Sequence, residues 1–231
     1  MILKRKIYKK LLEWKKECRG KKALLIEGAR RIGKSTICEE FGKSEYKSFL
    51  LIDFAKKDKE VEGYFEKYLN DLDTFFMLLQ THFGTKLTER NSLIIFDEVQ
   101  MFPQARAAIK YLVADGRYDY IETGSLISIR ENVKNIVIPS EERHINMYPL
   151  DFEEFAIALE EDLLVEYIKK CFEKREPLER SMHNQAMLLF HQYMLVGGMP
   201  MPVVTFIESK KDFTEADREK RDILKLYRED I

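Results

Sequence analysis

Gly28-Ala29-Arg30-Arg31-Ile32-Gly33-Lys34-Ser35 is the stretch that decides the fold. It fits G-x-x-x-x-G-K-[ST], the P-loop or Walker A pattern, in which a glycine-bearing loop joins a strand to a helix. Gly28 leaves the strand and Gly33 lets the backbone curl, so successive N–H groups face a phosphate chain at a helix N-terminus. Lys34 brings a point charge to the β- and γ-phosphates, and the Ser35 hydroxyl is the kind of oxygen that ligates Mg2+. The flanks have the required character. Apolar Ala23-Leu24-Leu25-Ile26 precedes the loop and a helical pattern over residues 34–41 follows it. Residues 28–36, from Gly28 to Thr36, form the expected nucleotide-binding segment.

Outward from this loop, strands and helices alternate. Ser48-Phe49-Leu50-Leu51-Ile52-Asp53-Phe54 and Ser92-Leu93-Ile94-Ile95-Phe96-Asp97 read as buried strands, and Tyr118-Asp119-Tyr120-Ile121-Glu122-Thr123 as a less apolar fourth. His144-Ile145-Asn146-Met147-Tyr148 gives a fifth, and helical spacing fills residues 61–69, 74–83 and 104–114. Such alternation predicts an α/β three-layer fold, a parallel sheet of about five strands with helices on both faces.

The third of these strands carries a second signal. Leu93-Ile94-Ile95-Phe96 ends in Asp97-Glu98, the Walker B form, with Asp97 standing 63 residues beyond Lys34. A buried parallel strand delivers its terminal carboxylate to the ligand edge of the sheet. Asp97 is expected to hold Mg2+ with Ser35. Glu98, one residue on, is placed to polarise an attacking water as general base. A small-molecule kinase has no use for a water-activating carboxylate, so the acid pair favours hydrolysis over phosphoryl transfer. Thr123-Gly124-Ser125 ends the fourth strand, where a polar side chain can reach the γ-phosphate and the water. Thr123 and Ser125 are the candidates, against a simple turn in which Ser125 caps the next helix.

The 231 residues contain 39 Lys+Arg and 40 Asp+Glu, a net charge of −1, so no bulk attraction to nucleic acid or anionic lipid exists. No apolar run approaches the ~18 residues of a membrane span, and the polar start does not read as a signal peptide. Cys18, Cys38 and Cys171 are odd in number and scattered, which fits neither a disulfide framework nor a zinc site and suits a reducing cytoplasm. Residues 1–22 nevertheless carry ten Lys/Arg against Glu13 and Glu17. Leu3, Ile7, Leu11 and Trp14 recur at helical steps there, so the segment reads as a basic amphipathic helix docked by its apolar stripe. At most weak, salt-sensitive nucleic-acid contact is expected of it.

After Pro149 the character changes. Residues 151–179 hold ten acids against Lys169, Lys170, Lys174 and Arg175, and helices are expected over 151–159, 163–173 and 182–196. Gly197-Gly198-Met199-Pro200 then breaks the pattern. The predicted domains are residues 1–149, a P-loop core with the basic helix, and 150–231, a small all-α region. Met182, Met187, Met194, Met199 and Met201 are expected in the core of that region, and Gly197-Gly198 in a turn permitting close helix approach. Phe65, Tyr68, Phe75, Phe76 and Phe83 read as a packed helical face rather than a base-stacking platform. His82, His144, His183 and His191 lack metal-ligand spacing.

Taken in order, GARRIGKST, LIIFDEVQMFP, IETGSL, MYPLDFEEF and VGGMP resemble a group of prokaryotic AAA+-like ATPases. The resemblance implies a P-loop ATPase core, a helical lid beginning near Pro149-Leu150-Asp151-Phe152, and a cytoplasmic setting. Relatives usually continue into a further C-terminal region similar to winged-helix and restriction-endonuclease-like modules, so the region from 150 on is expected to be the start of a longer one. Two departures stand out. Arg31 replaces a frequent glutamine at an unrestricted loop position. Glu142-Arg143 replaces Gly-Arg, leaving Arg143 as a sensor or arginine finger, or as an ordinary ion pair with Glu141 or Glu142.

Together these residues predict Mg-dependent binding and hydrolysis of ATP, with Lys34, Glu98 and Ser125 at the reaction centre and Ser35 and Asp97 on the metal. The absence of an NKxD-type tetrapeptide tilts the nucleotide toward ATP. ATP and ADP are the expected partners, with a homo-oligomer or partner protein left open and no membrane. The alternative is a slow nucleotide-dependent switch with little basal turnover.

Overall fold

The computed structural model describes residues 1–125 and 141–229. They divide into two compact units, one of Ile7–Met147 and one of Met1–Lys6 with Tyr148–Ile231.

In the first unit the strands are β1 (Ala23–Glu27), β2 (Ser48–Asp53), β3 (Ser92–Asp97), β4 (Asp119–Gly124) and β5 (Glu142–Asn146). They form one parallel sheet in the order β2-β3-β4-β1-β5. β4 therefore stands between the strand that feeds the P-loop and the strand that ends in Asp97. β3 and β4 are buried at every position, as expected of central strands covered on both faces. β5 begins two residues before its expected start. Its ladder with β1 opens at Ala23 opposite Glu142 and ends with Met147 N–H donating to Glu27 O at 2.8 Å.

Helices α1 (Ile7–Cys18), α2 (Lys34–Glu45), α3 (Lys59–Tyr68), α4 (Leu72–Phe83) and α5 (Pro103–Asp115) accompany the sheet. The face bearing Leu25, Leu50, Ile94 and Phe96 shares one core with Val61, Phe65, Phe75, Phe76, Leu79 and Ile109 of α3, α4 and α5. Phe65 and Phe75 meet edge-on at 5.0 Å, so these rings are core, as their spacing predicted. Local signals set the helix starts. Asp58 Oδ1 accepts from the N–H groups of Glu60 and Val61 at the start of α3, and Asp71 accepts from Thr74 N–H at the start of α4.

The second unit holds α6 (Phe152–Ala158), α7 (Asp162–Lys174), α8 (Arg180–Val196), α9 (Pro200–Glu208) and α10 (Phe213–Glu229). Leu150, Phe155, Leu164, Leu189, Val203 and Phe206 form its core. Asp151 and Glu154 make a reciprocal capping box at α6. Leu150 N–H donates to Gly198 O at 2.7 Å, and a Cβ on Gly198 would lie 2.1 Å from Leu150 O. Gly198 thus admits a loop backbone, not a second helix. No helix among the described residues is long and apolar enough to cross a membrane.

Two expectations need correcting here. The N-terminal helix begins at Ile7, and only Ile7, Leu11 and Trp14 form its buried stripe. Leu3 packs instead on the core of the second unit, where Arg5 and Lys6 bond Glu154 and Lys6 also meets Asp151 at 2.5 Å. The methionines also differ from expectation. Met182 packs against the helical core, but Met187, Met194 and Met201 are exposed. Helical spacing marks a stripe without saying whether anything covers it.

Candidate nucleotide site

β1 ends at Glu27, and the chain turns at once on Gly28. A Cβ there would lie 2.4 Å from Met147 O and 2.6 Å from Ile32 Cδ1, so only glycine lets the loop pass beside β5. Ile32 is fully buried and anchors the loop from within. Arg31, at φ 64°, and Gly33, at φ 90°, both take the left-handed conformation that curls the chain into α2. Ala29, Arg31 and Thr36 are exposed and Arg30 is half-buried. Unlike α3 and α4, α2 starts without a side-chain cap, its N-cap being Gly33. Its first N–H groups therefore have no side-chain acceptor at the N-cap, the arrangement that suits an anion.

Lys34 lies under this loop with 5% of its surface exposed. Its Nζ donates to Gly28 O at 3.0 Å and Ala29 O at 2.9 Å, neutral partners for a charged group. Burial pushes its ammonium below the ordinary lysine value, while the charges of Glu98 and Asp97 pull it back up. A cation held mainly by carbonyl dipoles, close to two acids, suits exchange of those carbonyls for phosphate oxygens.

Ser35 Oγ reaches both oxygens of Asp97, at 2.8 and 2.7 Å. A hydroxyl and a carboxylate in contact at the C-terminal edge of β3 are a hard-oxygen pair, the donor chemistry that Mg2+ requires. Thr123 Oγ1 donates to Asp97 Oδ1 and accepts from Glu98 N–H at 3.2 Å. Ser35, Asp97, Thr123 and the Glu98 backbone thus form one continuous chain. Thr123 is fully buried, so it links the two acids from beneath. Ser125, also buried, lies one residue past the end of β4.

Glu98 itself is half-buried and left-handed, at φ 52° and ψ 48°. Such a backbone is uncommon for a residue with a side chain and turns the chain sharply after β3. Gln100 Nε2 donates to Glu98 Oε2. Sequence reading overlooked Gln100, since a glutamine two residues after an acid pair has no signal until the turn between them is known. The same holds for Arg106, Glu122 and Glu142. Arg106 of α5 grips Glu142 through two bonds at 3.1 and 2.9 Å, and both side chains are buried. Glu122 lies against that pair from β4, fully buried and with no donor to either oxygen among the described residues. Burial, with the neighbouring Glu142 charge, pushes its carboxyl well above the ordinary range; Arg106 acts in the opposite direction.

Arg143 is not brought to this site. It stands opposite Leu24, three residues short of the strand end, and its guanidinium meets Glu17 of α1 at 2.6 Å. At ~3.3 Å per residue that is about 10 Å from the ligand edge. Its partner is therefore neither Glu141 nor Glu142, the latter being taken by Arg106. Among the basic residues of segment 1–22, Lys15 bonds Glu45 O and lies over the Tyr46 ring, so part of that charge is already engaged.

A family model described as AAA domain matches residues 20–156. Of solved structures, the chain is similar to the Aeropyrum pernix ORC1 protein in complex with DNA, at 10% identity and a TM-score of 0.40, covering 85% of this chain and 68% of that one. It is also similar to C. elegans PCH-2, at 12% identity and a TM-score of 0.44, covering 94% and 65%. It therefore spans about two thirds of either chain. No curated protein matches it. The family match takes in every strand and more than half of the residues, and the chain belongs to the AAA domain family, an AAA+-like P-loop ATPase family.

Proposed function

We propose that the chain binds Mg-ATP at the loop 28–36 and hydrolyses it, with the nucleotide state driving movement of a C-terminal module. The observation that carries this reading is the bonded chain Ser35–Asp97–Thr123–Glu98, which ties the P-loop helix to both acids. Lys34 leaves Gly28 O and Ala29 O for the β- and γ-phosphate oxygens. Ser35 and Asp97 would hold the Mg2+, which would neutralise charge on the phosphates. Glu98 accepts a proton from water as the water oxygen bonds the γ-phosphorus, and the bond from that phosphorus to the bridging oxygen breaks, releasing ADP and phosphate. Thr123 keeps Asp97 and Glu98 in register while this happens, and Ser125 is the candidate to sense the γ-phosphate.

Glu98→Gln tests the reading, because it keeps the shape and an acceptor but removes the base. Calorimetry should show Mg-ATP binding intact while phosphate release falls about a hundredfold or more. Unchanged turnover would assign the base elsewhere. Wild-type binding without turnover would select the slow switch.

A further inference from the structure

Gln100 is buried to 3% exposure on the short turn after Glu98, yet its Oε1 is sealed from solvent without a partner among the described residues. The turn is anchored by apolar neighbours on either side: Val99 is 1% exposed, and Phe102 stacks on Phe54 with ring centres 5.3 Å apart. Met101 N–H donates to Glu98 O at 2.9 Å and closes it. A buried amide with one end unsatisfied needs a compensating use for the other end. That end is the Nε2–H donated to Glu98 Oε2. Glu98 is held twice, its N–H on Thr123 and its carboxylate on Gln100, in a backbone conformation that side-chain residues seldom adopt.

We propose that Gln100 is a positioning residue for hydrolysis: by occupying Oε2 it fixes the Glu98 carboxylate and leaves Oε1 as the oxygen that receives the proton from water. The proposal rests on the reading of Glu98 as base. A neutral amide suits this role because it donates without cancelling the carboxylate's charge, as a lysine would. Fixing a base in advance matters because small misplacements of reacting groups cost up to a hundredfold in rate.

The test is steady-state turnover of Mg-ATP across pH by wild type, Gln100→Met and Gln100→Glu, with nucleotide affinity measured in parallel. Gln100→Met fills the same volume without a donor, so kcat should fall ten- to a hundredfold with affinity and KM unchanged. Gln100→Glu sets two carboxyls side by side, which hold one proton between them. At low pH the introduced carboxyl donates to Glu98 as the amide does, and the variant should keep near wild-type kcat. As pH rises the shared proton leaves and the variant's kcat should drop relative to that of wild type at the same pH. A carboxyl beside Glu98 couples to it whatever Gln100 does, so the discriminating readout is a fall in kcat for Gln100→Met while KM, nucleotide affinity and Tm stay at wild type. Unchanged or raised kcat in Gln100→Met overturns the proposal, a rise assigning Gln100 as a latch. If Gln100→Met binds no nucleotide, Gln100→Glu decides, and a pH profile parallel to wild type overturns it. Wild-type turnover that survives Glu98→Gln would defeat the reading of Glu98 and this proposal with it. Turnover lost in Glu98→Gln but untouched in both Gln100 variants defeats this proposal alone.

Discussion

Glu122 and Thr123 are neighbours on β4, both fully buried, and they serve opposite faces of the same sheet. Thr123 faces the side of Ile26, where its hydroxyl gives one bond and takes another between Asp97 and Glu98. Glu122 faces the side of Leu25, against Arg106 and Glu142, and among the described residues no donor reaches it. A hydroxyl joins two acids without adding charge. A buried carboxyl without a donor must keep its proton. One face therefore carries charged groups bonded to hydroxyls and loop carbonyls at the strand ends, and the other carries a cluster of charges bonded to one another. The first should govern turnover and the second stability.

Arg106→Met breaks the comparison most severely. It leaves the Glu142 carboxylate buried without its two-bond partner, and removing one member of a buried pair costs about 3–5 kcal/mol. Urea unfolding should show that loss, while Mg-ATP affinity of the fraction still folded stays near wild type. A loss under about 1 kcal/mol would mean that His144, 3.1 Å from Glu142, can take over the pairing.

Lys34→Ala should do the reverse. Losing the charge on the phosphates should weaken Mg-ATP by about 1–3 kcal/mol, the scale of a charge-assisted bond. Its partners are loop carbonyls at the ligand edge, and the ammonium is already disfavoured by burial, so unfolding should barely change. Undiminished affinity by calorimetry would remove the P-loop reading.

The site face was far more legible in the sequence than the cluster face. Gly28, Lys34 and Ser35 fall within one eight-residue pattern, and Asp97 is marked by the apolar run of its own strand, so each is read from its immediate neighbours although the two motifs lie far apart. The Arg106–Glu142 pair spans 36 residues and two elements, and nothing short-range marks it. Leu3 stands at a helical step from Ile7, yet the helix begins only at Ile7, so spacing alone does not place it. The exposed Met187 and Met194 show the same limit, since periodicity reports a stripe and not its covering. Gln100 needed the left-handed turn at Glu98, which glycine-free Asp-Glu-Val-Gln does not announce.

Glu122→Gln is the mildest change and sharpens the comparison through pH. Folded Glu122 holds its proton well above 4.5, where the unfolded chain releases it, so the folded state binds more protons over that window. Stability contributed this way is fully present below about pH 4.5 and is lost as pH rises toward the folded value. The facing groups are Arg106 from α5, Glu142 and His144 from β5, and Glu27 from β1, whose charge also reaches Arg106. Glutamine carries a permanent donor for Glu142 and no proton to lose. Wild type and variant should therefore match near pH 4.5 and diverge above it, the variant gaining at most about 1.4 kcal/mol per pH unit. Thermal unfolding in steps of one pH unit would read this as a few degrees of Tm per step. Parallel Tm curves for the two proteins would mean that Glu122 carries no buried proton, and that the charge balance on this face is set by Arg106 and His144 instead.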